Sequence, residues 1–371
     1  MRAFKCVGMT QIAVFGLVAL FIAESASGES ILIKRKFESG SKHLFETKTG
    51  VTQVMSGLPG MPTGQEMEMK FDSLLCRQEV IKDGKMGKKE VTSTFDHWAH
   101  DWDFMGNELQ YDSDDPDNEE AAPMISSIFS EMVGESYKYE VSRDGKVMNF
   151  SGMDEIVEKI DKKASMNMFW PQMKSQYTNE AGRRQFAEDP LLIYPNKKVS
   201  VGDSWTATSS EDRPQIGKIK HDYTYKLEKI ATENGRKVAI ISYTADVSGG
   251  DEGAPPSEGE EKGGGKTEVK GTITGKAVYD VEQGLIVSDK SENKTSVKVP
   301  ASKMGGSGEG TVSFKTLVSS DSRLISEKDR ARQKSEVAAK IAARKAAEEA
   351  EEDDDYEDED DEDDDEDEDD E

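Results

Sequence analysis

The sequence predicts an α+β chain in which helices pack on the apolar face of one large antiparallel sheet. Two observations carry that prediction. Long runs alternate apolar and polar residues and are joined by tight turns, the pattern of antiparallel strands with one face on a core and the other in water. The runs come in two blocks with helical periodicity between them, and strands, then helices, then strands is an α+β order.

The elements follow along the chain. Ile31 to Phe37 opens, and Lys42 to Ser56 continues with Leu44, Val51 and Val54 as apolar points. A Gly/Pro cluster from Gly57 to Pro62 separates this from the strict alternation of Glu66 to Phe71 and the strand-like run to Cys76. Asp83-Gly84-Lys85 is a hairpin signal, and Lys89 to Phe95 returns. Asp96 to Phe104 reads as strand, with Trp98, Trp102 and Phe104 alternating. After an acidic interruption from Asp112 to Glu120, Ala121 to Val133 reads as a helix, with Ile125, Ile128, Phe129 and Met132 at helical spacing. A hairpin from Tyr137 to Phe150 turns at Arg143-Asp144-Gly145-Lys146. Gly152-Met153-Asp154 opens a helix with Ile156, Val157 and Ile160 on one face, and a second helical stretch is expected from Ser165 to Ala187. Pro190 and Pro195 bracket a connector. Strands resume over Val199–Ala207, Lys218–Ile230, Lys237–Val247, Thr267–Asp280, Leu285–Val299 and Gly310–Val318. The Gly/Glu/Pro-rich insert at about 249–266 reads as a disordered hairpin loop whose flanks pair across it. Glu327 to Glu352 holds no Gly or Pro and forms helix readily. Val337 and Ile341 are its only large aliphatics, too few for a coiled-coil seam, so a solvated helix is expected.

The 371 residues carry a net charge of −27, with 48 Lys+Arg against 75 Asp+Glu. From Glu348 to Glu371, 22 of 24 residues are acidic; without them 53 acids face 48 bases. No basic surplus exists to displace counterions from nucleic acid, which excludes a nucleic-acid partner of the usual kind. Only one apolar run is long enough to consider for a membrane. It lies at the start: Arg2 and Lys5 precede the apolar Val7–Ala23, and Ser25-Ala26-Ser27-Gly28 follows as a small-residue cleavage region. That is an export signal, cut after Ser27 or Gly28 unless retained as an anchor, and it implies a periplasmic or extracellular protein with no stable membrane insertion after cleavage. The expected organisation is a signal peptide (1–28), one α+β domain (29–325), an Ala/Lys/Glu-rich helix (326–350) and a disordered acidic tail (351–371). Cys6 falls in the signal, so the mature chain keeps Cys76 alone, without an intramolecular disulfide. Cys76 reads as a small buried hydrophobe.

At Val199-Ser200-Val201-Gly202-Asp203-Ser204-Trp205 the sequence resembles a bacterial family of secreted domains of unknown function. The segment Val269 to Asp280, the return Gly284-Leu285-Ile286-Val287-Ser288 and the hairpin Arg143-Asp144-Gly145-Lys146-Val147 are similar too, and the resemblance covers roughly Ile31 to Leu324. It implies a curved, half-barrel-like antiparallel sheet partly wrapped around helices on its concave face, similar to the periplasmic lipoprotein carriers. It brings no catalytic residues. Physically, Gly202-Asp203 makes a turn and Trp205 anchors a strand, while Gly271 and Gly275 mark bulges or close backbone approach.

No reaction is legible. His97-Trp98-Ala99-His100 invites a metal, but on a strand residues three apart face opposite sides, so the two imidazoles cannot share one ion. Asp112 to Glu120 has the composition of a calcium loop without its central Gly, and Pro116 stands where a flexible ligand would be needed. No nucleophile elbow, zinc helix or phosphate loop appears. The sequence therefore predicts no catalytic residue and no cofactor, and leaves metal ligands unassigned. Two functions remain: an exported non-enzymatic protein holding a hydrophobic or lipid-like ligand in a sheet groove, or a structural protein whose acidic tail binds calcium weakly or docks a basic partner. Met153, Met166, Met168, Phe169 and Trp170 either line such a groove or simply pack in the core.

Overall fold

The computed structural model describes residues 29–58, 64–104, 107–117, 123–164, 167, 170–213, 216–250, 266–304 and 310–355. The expected export signal, most of the 249–266 insert, residues Met166, Met168 and Phe169, and the acidic tail beyond Asp355 lie outside the described residues.

Fourteen strands are described: β1 (Ser30–Ile33), β2 (Lys42–Ser56), β3 (Glu66–Asp83), β4 (Lys89–Phe104), β5 (Asn107–Asp112), β6 (Ser136–Val141), β7 (Val147–Ser151), β8 (Lys197–Ser200), β9 (Ser204–Arg213), β10 (Gly217–Glu233), β11 (Arg236–Gly250), β12 (Glu268–Asp280), β13 (Leu285–Pro300) and β14 (Thr311–Ile325). Twelve of them form one unclosed antiparallel sheet in the order β7-β6-β4-β3-β2-β14-β13-β12-β11-β10-β9, with β5 paired to β4. β7 and β9 therefore lie at opposite edges of the sheet. The chain between them, residues 152–203, has to travel from one edge to the other, and its helices cross one face on the way. We call that the inner face.

The crossing begins with α2 (Met153–Lys163), after the short α1 (Pro123–Phe129). Met153, Ile156, Val157 and Ile160 recur at one-turn spacing and are all buried, while Asp154 and Glu155 in the first turn and Lys162 and Lys163 in the last suit the helix dipole. Gly152 enters the helix at φ +107°, where a Cβ would lie 2.7 Å from the Ser136 carbonyl oxygen. The continuous helix expected over Ser165–Ala187 is instead broken into α3 (Trp170–Met173), a 3-10 turn, α4 (Asn179–Gly182) and a π-helical turn, Arg183–Glu188. Thr178 restarts the helix, its hydroxyl accepting from the Ala181 N–H at 3.2 Å. The single strand expected over Val199–Ala207 is likewise two. Gly202, at φ +93°, turns the chain, so that β8 pairs with β1 in a separate ribbon while β9 joins the large sheet. α1 is shorter than Ala121–Val133 because the chain turns through Ser130–Gly134, yet Ile128, Phe129 and Met132 are buried as their spacing implies.

β4 carries an extra residue. Cys76 pairs with His97 but Arg77 pairs with Phe95, which leaves Asp96 unmatched. Before this bulge Val91 and Phe95 face inward; after it Trp98, His100 and Trp102 do, with His97 opposite beside Cys76. Two clusters make the inner core: Phe95, Trp98, Tyr137, Ile156 and Phe186 toward the β7 edge, and Trp205, Leu227, Ile241 and Tyr279 toward β9. Each such side chain contributes about 1.5–3 kcal/mol by leaving water.

The last helix, α5 (Glu327–Asp355), lies on the other, outer face. It is mostly exposed, as its composition predicts, but Arg330, Gln333, Val337, Ile341 and Arg344 form a stripe, one residue per turn, that is shielded from solvent. No helix among the described residues is long and apolar enough to cross a membrane.

Candidate functional site

Between the inner face and the crossing segment lies a cavity of about 640 Å³. Its floor comes from alternate residues of β2, β3 and β10–β14, and its roof from Tyr177 and the stretch Gln185–Tyr194. The walls are of three kinds. Phe45, Leu75, Trp98, Phe186, Leu191 and Ile286 supply apolar surface.

Arg35, Arg77 and Glu79 form the second wall. Glu79 accepts from Arg35 Nη2 and Arg77 Nη2, both at 3.2 Å, and Arg77 Nη1 donates to Tyr137 Oη at 2.8 Å. Arg35 lies over Phe37 and Arg77 over Phe45, 5.2 and 5.9 Å from the ring centroids. Two guanidinium groups thus share one carboxylate, and Arg35 Nη1 is buried with no hydrogen-bond partner among the described residues.

The third wall is Tyr223, Tyr225 and Tyr243 with Asp189 and Asp289. Tyr223 and Tyr225 alternate on β10 and so share a face, with ring centroids 5.6 Å apart; Tyr243 is opposite Tyr225, also at 5.6 Å. Tyr243 lies flat across β12 because Gly275 leaves room: a Cβ there would come within 2.2 Å of the Tyr243 ring. The ring therefore reaches over Gly275, and its hydroxyl donates to Asp289 Oδ1 on β13 at 2.8 Å. Gly275 thus marks close approach of a ring, whereas Gly271 marks close approach of backbone, where a Cβ would lie 2.5 Å from the Lys294 carbonyl oxygen. Neither is a bulge.

Burial pushes both Asp189 and Asp289 up to about 6. The charged groups near Asp189 are Arg184, already paired with Glu211, and the acids Glu188 and Glu211; the one beside Asp289 is Asp321. Burial, with the field of Asp189 and Asp289, also pushes the Tyr223 phenol up to about 12. This end of the cavity is thus an aromatic wall with two carboxyl groups and no cation bound to either among the described residues.

The residues singled out in the sequence fall elsewhere. His97 faces outward, where Nε2 meets Asp112 Oδ1 at 2.7 Å, while His100 faces inward against Phe129, with ring centroids 4.1 Å apart. They sit on opposite sides of the strand. Burial lowers His100 to about 3, so it is a neutral core ring. His97, Asp112 and Asp114 do cluster closely enough to hold an ion. However, Arg330 of α5 already occupies Asp114, with Nη1–Oδ2 at 2.6 Å, and donates from Nε to Asp96 at 2.7 Å. Asp115 and Asp117 likewise take Arg344. The acidic run that resembled a calcium loop is the socket of the last helix. Cys76 is buried under that helix, its thiol pushed by burial to about 12. Met153 and Trp170 pack in the inner core and do not line the cavity.

The fold and this cavity define a class: an open antiparallel sheet whose helical crossing segment roofs an internal chamber. The chain belongs to the family of unknown function DUF6263, whose model matches residues 86–286, more than half of the sequence. Among solved structures it is similar to one described as lipid-protein interactions in lipovitellin, at 10% identity and a TM-score of 0.38, covering 78% of this chain and 26% of that one. The chain thus spans about a quarter of that neighbour. It is also similar to Salmonella typhi OmpF in complex with daunomycin, at 6% identity and a TM-score of 0.21, covering 78% of this chain and 100% of that one. No curated protein matches the sequence.

Proposed function

We propose that the protein is an exported, non-enzymatic binding protein that holds an amphiphilic ligand in the chamber between the inner sheet face and its helical roof. The observation that carries this reading is the chamber's make-up: a size in the range of small-molecule pockets, apolar walls, and two buried donors, Arg35 Nη1 and Trp98 Nε1, that have no hydrogen-bond partner among the described residues. Core packing alone would not leave a space of this size. A larger groove of about 1060 Å³ runs under α5, but its charged groups include the Arg344–Asp115 pair and others already matched to one another. Export is supported by Arg2, Lys5, the apolar Val7–Ala23 and the small residues Ser25–Gly28.

Native mass spectrometry of the protein purified from its own host tests the reading. A discrete extra mass released on denaturation is the expected result. Substituting Leu75→Trp, which intrudes on the apolar end of the chamber, should weaken retention of that mass, with circular dichroism confirming that the variant stays folded. A bare protein mass, together with no uptake of any chain-bearing amphiphile in vitro, rules the chamber out as a binding site.

A further inference from the structure

The chamber is electrically lopsided, and that narrows the ligand. At one end Arg35 and Arg77 share Glu79. At the other, Asp189 and Asp289 stand against three tyrosines with no Lys or Arg in ion-pair contact among the described residues. Tyr243 satisfies only one oxygen of Asp289, and Oδ2 has no protein partner among the described residues. Neither carboxyl is held in an ion pair among the described residues, and partial burial makes each costly to ionise, which is why both are held near 6. A cation arriving at the tyrosine rings, which feel the field of both carboxyls, would lower that cost. The tyrosines add a second, independent attraction, since the face of an aromatic ring draws a cation, and stacked rings are the usual recognition surface for ammonium groups too bulky to hydrogen-bond.

We propose that the ligand carries an organic cation, a primary amine or quaternary ammonium, seated against Tyr223, Tyr225 and Tyr243 with Asp289 and Asp189 as its counter-charges. The proposal rests on the chamber being the binding site. The cation sits at the β10–β13 end, and the ligand's apolar body runs toward Leu75 and Phe186. Gly275 is a positioning residue: without a side chain there, Tyr243 can lie across β12 and present both its face and the carboxylate it holds.

The test compares three probes of equal chain length on the full-length protein by calorimetry below their micelle concentrations: decyltrimethylammonium, decanol and decyl sulfate. Measurement in 0.5 M NaCl screens attraction between the cationic probe and the acidic tail. Decyltrimethylammonium is expected to bind roughly tenfold or more tighter than decanol. Asp289→Asn, which keeps the shape, and Tyr223→Leu, at a half-buried position, should each lower the ratio of decyltrimethylammonium to decanol affinity about fivefold or more. Equal binding of decanol, or preference for decyl sulfate, overturns the cation assignment and leaves the chamber standing. A cationic preference that survives both substitutions also overturns it, because the charge is then read elsewhere. Failure of all three probes removes the chamber reading itself.

Discussion

The same three strands, β2, β3 and β4, present two unlike surfaces. Their inner face carries Phe45, Leu75 and Phe95 against helices and a chamber; their outer face carries Glu46, Cys76, Asp96 and His97 against α5. The inner contacts are apolar and gain from leaving water without regard to angle. The outer ones are polar and buried: Glu46, 1% exposed, accepts from Arg323 and Gln333, while Arg330, 5% exposed, joins Asp96 and Asp114. Burying charges is favourable only when every partner is present, so this face contributes less net stability but fixes where and in which register the helix sits. The inner face supplies cohesion and leaves space; the outer face supplies a unique docking geometry.

Breaking each side should separate those roles. Phe95→Ala removes a ring with no exposed surface that touches Trp98, Tyr137 and Phe186. It should cost about 3–5 kcal/mol, read as a lower urea midpoint with unchanged slope. Arg330→Ala should cost about 2–3 kcal/mol, because it strands the half-buried carboxylates Asp96 and Asp114. Adding Asp96→Asn and Asp114→Asn should recover most of that loss, a recovery no apolar inner-face pair would show. On the chamber wall the sign reverses. Asp289 has its carboxyl raised from 3.8 to about 6 in the folded state, so the folded protein binds the proton more tightly than the unfolded chain. Its ionisation therefore costs stability above about pH 6, and that cost fades as pH falls toward 4. Asp289→Asn should accordingly stabilise the protein at pH 8 by about 1–2 kcal/mol and have no effect near pH 4. Equal effects at both pH values would show that the carboxyl is not buried in solution. Smallest of all, Arg344→Ala removes a side chain 39% exposed but leaves Asp115, 8% exposed, without its cation at the far end of the same helix stripe, and should cost about 1 kcal/mol.

Much of this architecture is legible in the sequence. Alternation along Lys42–Ser56 and Glu66–Phe71 gives the strands directly, because a half-buried strand imposes period two. Met153, Ile156, Val157 and Ile160 give α2 for the corresponding helical reason. What escapes is long-range or polar. The α5 stripe is anchored by Arg330, Gln333 and Arg344, which read as solvated residues until Asp96, Asp112–Asp117 and Glu46 are brought opposite them. The tyrosine wall depends on Gly275 lying opposite Tyr243 on one side and diagonal to Asp289 on the next strand, two residues off in register, pairings that only the sheet order reveals. Tyr223-Thr224-Tyr225 did offer a local hint, two aromatic residues on one face of a strand. The break after Tyr177 was harder to see, since Thr178 interrupts a helix-compatible run by capping a new turn.

The bulge at Asp96 has a hereditary consequence. With that extra residue, the segment before it and the segment after it can both point aromatic rings the same way although their spacing in the gene is out of phase. Deleting the single codon for Asp96 would turn either Phe95 and Val91 or Trp98, His100 and Trp102 to the wrong side, exchanging core for socket. β4 should therefore tolerate many substitutions across a lineage yet almost no change of length, and where length does change, it should do so by two residues at a time.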